Sequence, residues 1–420
     1  MKKLLILGAN SETIPLVQEA VKTGIEVHVA DPDLSAPAKE YADIRVDIDA
    51  SDTEKLFEYS VKAKINGVMV GVADRLILPY AQLCEKLGLP CYCNVQQAQI
   101  WSNKGLFNKL IEQSGLSVIP SVKYDNSQKN LSSSVSFPVL VKPVDSNAGK
   151  GMSVVHQKEF LPRAILHAMQ HSSEGEILIE KYMECDDVIM YYSLLSGNLK
   201  LIASADKFTL MSGSSSSKVG FAHRYPSKYQ MVIKGDYEKR LGQICQDTGL
   251  KNGVMLLGAF VDEGQFYFYD PGLRLQGEAP DIHVQNETGI NHRSSLISLA
   301  LNENIKTFHK EKDVLIYSEG SVGYTLWILL KPGKISMISG MEILEDHPSV
   351  FKINTRFKVD DIVTSNFVGT EAQVFARVYI KVSMSRQLIE IINILKEKIK
   401  ILDDQDHNMV VDAPYHKLLS

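Results

Sequence analysis

A lysine between a short apolar strand and a loop of small residues is the first candidate for chemistry. Lys142 follows Pro138–Val141 and precedes Ser146–Gly151, a segment with two glycines and a second lysine, Lys150. Glycines permit positive φ, so backbone N–H groups of such a loop can close over phosphate oxygens. Ser153–Val155 again reads as a strand, so the pattern predicts a hairpin loop that covers a polyphosphate. An ordinary glycine hairpin with a surface lysine is the alternative.

A second strand ends in an acidic residue. Ile177–Glu180 is apolar up to its glutamate, and the backbone beyond it can pair with the edge of a purine. Asp187, seven residues later, can reach a ribose hydroxyl. Three apolar side chains are expected to cover the faces of the purine: Val141, Ile179 and Met183. The alternative is a strand that ends at the surface with solvated acids.

An acid and an arginine stand four residues apart after a predicted β-hairpin. Alternating apolar residues predict strands over Val254–Val261 and Gln265–Asp270, joined by the turn Asp262–Gly264. Asp270 would bind Mg²⁺, and Arg274 would neutralise negative charge on a phosphate. A local Asp–Arg ion pair is the alternative.

The first hundred residues alternate between predicted strands and helices. This β-α-β-α pattern predicts a small, mostly parallel sheet. Asp31 after the second strand invites a dinucleotide site, but the first turn has one glycine where that fingerprint needs three, so we reject it. The predicted strands are Lys3–Leu7, Val27–Ala30 and Gly67–Gly71. The predicted helices are Ser11–Lys22, with Ser11 as N-cap, Asp52–Lys62 and Pro79–Lys86.

Later segments predict further elements. Helical periodicity covers Lys104–Gln113 and Leu161–Gln170, and an amphipathic helix is predicted over Ser385–Lys398. Alternating strands are predicted over Tyr324–Leu330 and Ile335–Ile343, with a glycine turn between them.

Composition excludes several classes of protein. The net charge of −5 over 420 residues, without a basic block, argues against nucleic acid as a partner. No apolar stretch has the length of a membrane span, and the short run after Met1 is too brief for a signal peptide. Five cysteines lack zinc spacing. We therefore expect a cytoplasmic protein without a membrane partner.

Together and in this order, these features resemble the ATP-grasp superfamily, most of all its carbamoyl-phosphate-synthase and biotin-carboxylase-like branch. The resemblance covers almost the whole chain. It includes Asp31–Asp43 near the start, Thr288–Asn291 after the arginine motif, and the strands and helix predicted for the C-terminal region. It implies an α/β (α+β ATP-grasp) fold in three parts. These are a Rossmann-like pre-ATP-grasp domain over residues 1–100, a two-lobed ATP-grasp domain over 101–305 with the nucleotide between its lobes, and a C-terminal biotin-carboxylase-like β lid lobe over 306–420.

The resemblance also implies ATP and Mg²⁺ as cofactors and assigns roles to residues. Its catalytic residues would be Arg274 and Lys150. Its nucleotide-binding residues would be Lys104, Lys142, Ser146, Gly149, Gly151, Glu180, Lys181, Met183 and Asp187. Its metal ligands would be Asp270 and Glu278.

The chain departs from the family pattern at the metal site. Counting back twelve residues from Asp270, the first ligand position is Gly258, and the position of a usual asparagine is Gly272. A hard cation requires several oxygen ligands. Only Asp270 matches by position, so efficient phosphoryl transfer is in question. Two alternatives remain for the metal: Glu278 compensates for the missing ligands, or one Mg²⁺ is held mainly by ATP and water.

The resemblance implies an ATP-dependent carboxylate–amine ligase that forms an acyl-phosphate on an amino acid or sugar acid. The small-molecule partners would be a carboxylate and an amine, and a homodimer is an open expectation. Two alternatives remain: an ATP-binding regulatory or partner subunit, and a carboxylase that uses carboxyphosphate. The loop Ser212–Ser217 is expected to border the acceptor pocket. Lys207, His223 and Arg224 are candidates for holding an anionic substrate there. The alternative is that these three are surface residues on a mobile loop.

Overall fold

The computed structural model describes residues 1–124, 136–144, 151–172, 175–211, 218–303, 317 and 320–419. Within these ranges the chain forms one parallel sheet, one small antiparallel sheet, a large mixed sheet and a three-stranded sheet near the C-terminus. Among the described residues, no helix combines the length and apolar character required to cross a bilayer.

The N-terminal domain is a four-stranded sheet in the order β3-β2-β1-β4, and its pairings are all parallel. Its strands are β1 (Lys3–Leu7), β2 (Glu26–Ala30), β3 (Ile44–Val46) and β4 (Gly67–Val70). Its helices are α1 (Ile14–Lys22), α2 (Thr53–Ala63) and α3 (Ile77–Leu87), and the chain continues into α4 (Val95–Ser102) and α5 (Lys104–Gln113). The predicted parallel sheet is confirmed. The edge strand β3 was not predicted, because its three residues are too few to show a pattern.

The start of the first helical segment differs from the prediction. The Asn10 side chain, not Ser11, accepts the cap hydrogen bond, from the N–H of Thr13 at 3.1 Å. Ser11–Thr13 then form a 3₁₀ turn before α1. The prediction of Ser11 as N-cap is therefore wrong by one residue, since asparagine caps helices as well as serine does.

The small lobe is an antiparallel sheet in the order β6-β9-β7-β8, with one helix on one face. After β5 (Ser117–Val118), which joins the large sheet, its elements are β6 (Ser121–Tyr124), β7 (Val139–Pro143), β8 (Ser153–Val155), α6 (Leu161–Met169) and β9 (Ile177–Lys181). Alternate residues of β7 and β9 form a core with α6. The predicted hairpin of β7 and β8 is confirmed.

The large sheet has nine strands in the order β17-β19-β15-β12-β11-β10-β13-β14-β5. A separate sheet has the order β18-β16-β20. The remaining strands are β10 (Asp186–Leu195), β11 (Asn198–Met211), β12 (Lys218–Tyr225), β13 (Gly253–Asp262), β14 (Gln265–Gly272), β15 (Val322–Leu329), β16 (Gly333–Ser339), β17 (Val350–Thr355), β18 (Ile362–Val363), β19 (Val374–Val382) and β20 (Lys400–Asp403). The remaining helices are α7 (Gln230–Val232), α8 (Glu238–Asp247), α9 (Pro280–Thr288), α10 (His292–Ala300), α11 (Met341–Glu345) and α12 (Ser385–Glu397).

Strands on both sides of the predicted boundary at residue 305 share the nine-stranded sheet, because β12 pairs with β15. The domain limits therefore stay a prediction. The strand predicted over Ile335–Ile343 ends early, at Ser339. Gly340 has φ +86°, and a Cβ there would lie 2.3 Å from the Lys398 carbonyl oxygen, so the chain turns into α11 at this glycine.

Candidate active site

The small lobe presents a lysine and a glutamate on one face of its sheet. Lys142 on β7 and Glu180 on β9 form an ion pair with Nζ and Oε2 2.5 Å apart, and their side chains are 18% and 7% exposed. Strand alternation places both on the face opposite α6. Burial lowers the pKa of Lys142, while Glu180 opposes this effect. The pair therefore holds the ammonium group in place.

The same alternation corrects the expected purine slot. Val141 and Ile179 are fully buried in the core beneath α6. They face away from Lys142 and Glu180, so the prediction that they cover a purine is wrong. The partly buried Leu140 and Leu178 lie on the lysine face instead. A one-residue offset in a strand exchanges the two faces, which explains the error.

The large sheet contributes Asp270 at the end of β14. Its partner in the register is Gly258 on β13, the residue that the twelve-residue count gave as the first ligand position. The Asp270 side chain is accessible to solvent. Desolvation by the surrounding protein raises its pKa, against the positive charges of Lys104, Lys207 and Arg274. Lys104, at the start of α5, also lowers the pKa of Lys142, so charges from the small lobe, α5 and the end of β14 act on one another here.

Arg274 is engaged by a residue that the sequence did not indicate. Its guanidinium holds the Asp74 carboxylate through two hydrogen bonds, one from Nε at 2.7 Å and one from Nη2. Asp74 follows β4 of the N-terminal domain, 200 residues away in sequence. A Cβ at Gly272 would lie 3.2 Å from the Asp74 carboxylate. Asp74 thus lies beside the position of the missing asparagine.

A second network surrounds Asp187. Tyr269 donates its hydroxyl to Asp187 at 2.9 Å and accepts a hydrogen bond from Lys207 at 3.1 Å. The Lys207 Nζ lies 3.6 Å from the Asp187 carboxylate. Burial raises the pKa of Asp187, and Lys207 opposes that rise. Asp187 is therefore engaged inside the protein, and its role toward a ribose stays a prediction.

Glu278 lies in a positively charged environment. Burial raises the pKa of Glu278, but positive charge from His223, Lys207 and Arg377 outweighs this effect, so the pKa lies below its ordinary value. Burial lowers the pKa of His223 to about 3, so this imidazole is neutral near pH 7 and the two cations provide the stabilising charge. Lys207 and His223 are register partners on β11 and β12 and share a face of the sheet. Arg224 lies on the other face, paired with Asp206, and does not join them.

Other predicted residues lie at the margins of this site. Lys181 forms an ion pair with Asp262 at 3.0 Å, which joins the small lobe to the hairpin turn. Met183 is buried, and its carbonyl oxygen lies 3.5 Å from the Lys218 ammonium. Gly151 has φ +73°, and a Cβ there would clash with the His171 Cβ at 2.7 Å, so this position requires glycine. Three of the predicted site residues lie outside the described residues: Ser146, Gly149 and Lys150. The loop Ser212–Ser217 lies outside them too.

The donor set for a metal is small. Among the described residues, no group of three or more His, Cys, Asp or Glu side chains is arranged to hold an ion. Asp270 and Glu278 are the two predicted ligands, and Gly258 and Gly272 add no side-chain oxygen. The residues present therefore do not fit a two-ion magnesium site.

Comparisons with known proteins connect this geometry to a family. The model for the carbamoyl-phosphate synthase L chain, ATP binding domain, matches residues 103–191. Phosphoribosylglycinamide synthetase from Anaerococcus prevotii superposes with a TM-score of 0.75, covering 96% of this chain and 100% of that chain at 17% identity. The chain has the ATP-grasp fold. The resemblance drawn from the motifs and the predicted α/β ATP-grasp fold are confirmed.

Two further solved structures share the ATP-grasp fold. L-amino acid ligase from Bacillus licheniformis superposes with a TM-score of 0.76, covering 96% of this chain and 99% of that chain at 16% identity. A biotin carboxylase domain dimer from Hydrogenobacter thermophilus, solved with MgADP and bicarbonate, gives 0.73 over 95% of this chain and 91% of that chain at 16% identity. At these identities the likeness establishes the fold alone.

The sequence relatives align over part of their length. Formate-dependent phosphoribosylglycinamide formyltransferase from Prochlorococcus marinus subsp. pastoris is 30% identical over 191 residues, which are 44% of this chain and 48% of that protein. The ATP-grasp chain thus spans about half the length of this curated relative.

Proposed function

We propose that this ATP-grasp protein is an ATP-dependent ligase that joins a carboxylate to an amine through an acyl-phosphate. One observation carries the proposal: Glu180 holds the Lys142 ammonium at 2.5 Å on the face of the small sheet opposite α6, and the positive charge of Lys104 acts on both Lys142 and Asp270. Two fixed cations from different elements beside an accessible acid favour a bound polyphosphate.

The predicted site residues have distinct tasks in the proposal. Lys142 and Lys104 would offset charge on the polyphosphate, and the face with Leu140 and Leu178 would contact the base. Arg274 would exchange its Asp74 partner for an oxygen of the transferred phosphoryl group, whose charge it would stabilise. Lys150 would contribute from the loop over the nucleotide.

The proposed chemistry has two balanced steps. A carboxylate oxygen forms a bond to the γ-phosphorus of ATP, and the bond from that phosphorus to ADP breaks. The amine nitrogen then forms a bond to the acyl carbon, phosphate leaves with the electron pair of the C–O bond, and the nitrogen loses a proton. Holding the carboxylate and the phosphoryl group in line is the main contribution of the protein. Because the donor set does not fit two magnesium ions, no step is assigned to a protein-bound metal.

The substrate class is supported by the proteins that share the fold. One structural neighbour is an L-amino acid ligase, and another is a phosphoribosylglycinamide synthetase. We infer that the carboxylate is an amino acid or a sugar acid and the amine a small molecule. A homodimer is proposed because one biotin carboxylase neighbour was solved as a dimer. The cytoplasm is proposed as the location because ATP is supplied there.

A second function, nucleotide binding with regulatory output and little turnover, is favoured by one observation. Gly258 carries no side chain, and the Tyr269 ring lies against it. A carboxylase that uses carboxyphosphate is a third candidate, since one neighbour was solved with bicarbonate.

Calorimetric titration with a non-hydrolysable ATP analogue, with Mg²⁺ and then with EDTA, tests nucleotide binding. Lys142→Met is expected to weaken binding by about 10- to 100-fold, because it removes a charged hydrogen-bond donor. Lys123→Met is the matched control, since Lys123 lies in the same small sheet and pairs with Glu176 at the surface. If the wild-type protein binds no analogue, the proposal fails.

ADP release then distinguishes the candidate functions. The ligase proposal predicts ADP release only when a carboxylate and an amine are both supplied, from panels of amino acids and sugar acids. Release with bicarbonate alone would favour the carboxylase. Tight analogue binding without ADP release under any combination would favour the regulatory subunit.

A further inference from the structure

The glycine at the first expected metal-ligand position is covered by a tyrosine. A Cβ built on Gly258 would lie 2.8 Å from Cζ, 3.0 Å from the hydroxyl oxygen and 3.1 Å from Cε1 of Tyr269. The ring therefore fills the space that a side chain at residue 258 would need. A carboxylate or amide on this strand is excluded sterically as long as the tyrosine stays in place.

A bulge and two contacts fix the tyrosine. The register of β13 and β14 shifts between Gly258 and Ala259, and the extra residue opposite this step is Tyr269. Such a bulge turns a side chain toward a site. The ring stacks on Phe260 with centroids 4.6 Å apart and planes at 21°. Its hydroxyl donates to Asp187 at 2.9 Å.

The hydroxyl also positions a cation. Lys207 donates from Nζ to the Tyr269 hydroxyl at 3.1 Å, and its Nζ lies 3.6 Å from the Asp187 carboxylate. Asp187 and Lys207 are register partners on β10 and β11, so they lie on the same face of the sheet. The Lys207 side chain is only 19% exposed, which keeps its ammonium in place and poorly screened by salt.

The Lys207 ammonium lies beside the position of the missing metal ligand. The Tyr269 hydroxyl oxygen lies 3.0 Å from the place of a Cβ at residue 258 and 3.1 Å from the Lys207 Nζ. Asp270 is the register partner of Gly258, so the acid and the ammonium lie next to the same position. A lysine provides positive charge there without the oxygen ligands that Gly258 and Gly272 cannot supply.

We propose that the Lys207 ammonium, held by Tyr269 and Asp187, takes the place of one divalent cation, so that the nucleotide binds with a single metal ion. This inference rests on the proposed nucleotide site. Tyr269 and Asp187 are positioning residues in it, and Lys207 supplies the charge toward the polyphosphate. The reduced donor set is then a rearranged site, with glycine, tyrosine and lysine acting together.

The first test counts metal ions in the wild-type protein. Electron paramagnetic resonance of Mn²⁺ titrated into protein saturated with a non-hydrolysable ATP analogue gives the number of ions bound per chain. We expect one ion per chain. Two ions per chain would overturn the inference, because the Lys207 ammonium would then not be taking the place of a metal ion.

The second test removes the charge. Lys207→Gln is expected to weaken binding of the analogue about 10- to 100-fold at every Mg²⁺ concentration, whereas Lys207→Arg stays within about 3-fold of wild type. Lys200→Gln is the matched control, because Lys200 is on the same strand and pairs with Glu238 at the surface. Thermal melting without nucleotide reports whether each variant is folded.

The outcomes separate two failures. If wild-type protein binds the analogue and Lys207→Gln binds it equally tightly, Lys207 has only a structural role and this inference alone is overturned. If wild-type protein binds no analogue, the proposed function fails and the inference fails with it. An unfolded Lys207→Gln variant leaves the ion count and the Lys207→Arg result to decide.

Discussion

Substitution of Gly258 by alanine should be destabilising because of one neighbour. The added methyl group would lie within 3.1 Å of three Tyr269 atoms, and the ring is stacked and hydrogen-bonded. The backbone itself accepts alanine, since Gly258 is not among the residues with positive φ. Overpacking of this kind costs about 1–3 kcal/mol. We therefore expect Gly258→Ala to cost about 2 kcal/mol and to lower Tm by roughly 2–4 °C.

A double-mutant cycle isolates the cause. Tyr269→Val removes the ring, so the same methyl group in a Gly258→Ala/Tyr269→Val protein meets open space. On that background Gly258→Ala should cost less than about 0.5 kcal/mol, which gives a coupling energy of about 1.5 kcal/mol. Tyr269→Val alone should be destabilising, because it leaves Asp187 and Lys207 without the phenol.

Thermal melting of the four proteins at one concentration and pH is the assay. Gly242→Ala is the control. Gly242 lies inside α8, where alanine is favoured, and a Cβ there would make an ordinary contact of 3.7 Å with Leu199. Additive losses, with Gly258→Ala equally costly with and without the ring, would refute the packing argument. An unchanged Tm in the single variant would refute it as well.

Two further predictions concern a glycine of the large sheet and a histidine of α9 that packs against this sheet. A Cβ at Gly220 would lie 1.6 Å from Cζ3 of the buried Trp327, so Gly220→Ala should cost more than about 3 kcal/mol or prevent folding. Soluble yield and Tm measure this effect. A Cβ at Gly235 would have no atom within 4 Å, so Gly235→Ala should leave the yield and Tm unchanged. Burial lowers the pKa of His283 to about 3, whereas a histidine in the unfolded chain has a pKa of about 6.5. Between these two pH values the unfolded state therefore binds more protons than the folded state. The free energy of unfolding falls as the pH falls through this window. His283→Gln should therefore reduce the slope of urea-unfolding stability against pH by up to about 1.4 kcal/mol per unit between pH 6.5 and 4, and an unchanged slope would contradict the assignment.

The sequence alone determined the fold family and the positions of several chemical groups. Strand periodicity and glycine turns placed Lys142 on a hairpin and Asp270 on the second strand of another, because both patterns are local. Counting back twelve residues from Asp270 led to Gly258, which is its register partner, although counting around the two-residue turn alone would pair Asp270 with Leu257. In that turn Glu263 and Gly264 have positive φ, as a tight hairpin requires.

Only the tertiary structure decided which groups act on one another. Asp74 contacts Arg274 across 200 residues of sequence, and no local pattern links the 3₁₀ turn after β4 to the segment that follows β14. The register shift that turns Tyr269 over Gly258 depends on pairing between strands, which sequence spacing does not encode. Lys207 becomes a fixed charge only because that tyrosine and Asp187 hold it. Side-chain types are set by the sequence, whereas the partners of a charge are set by packing.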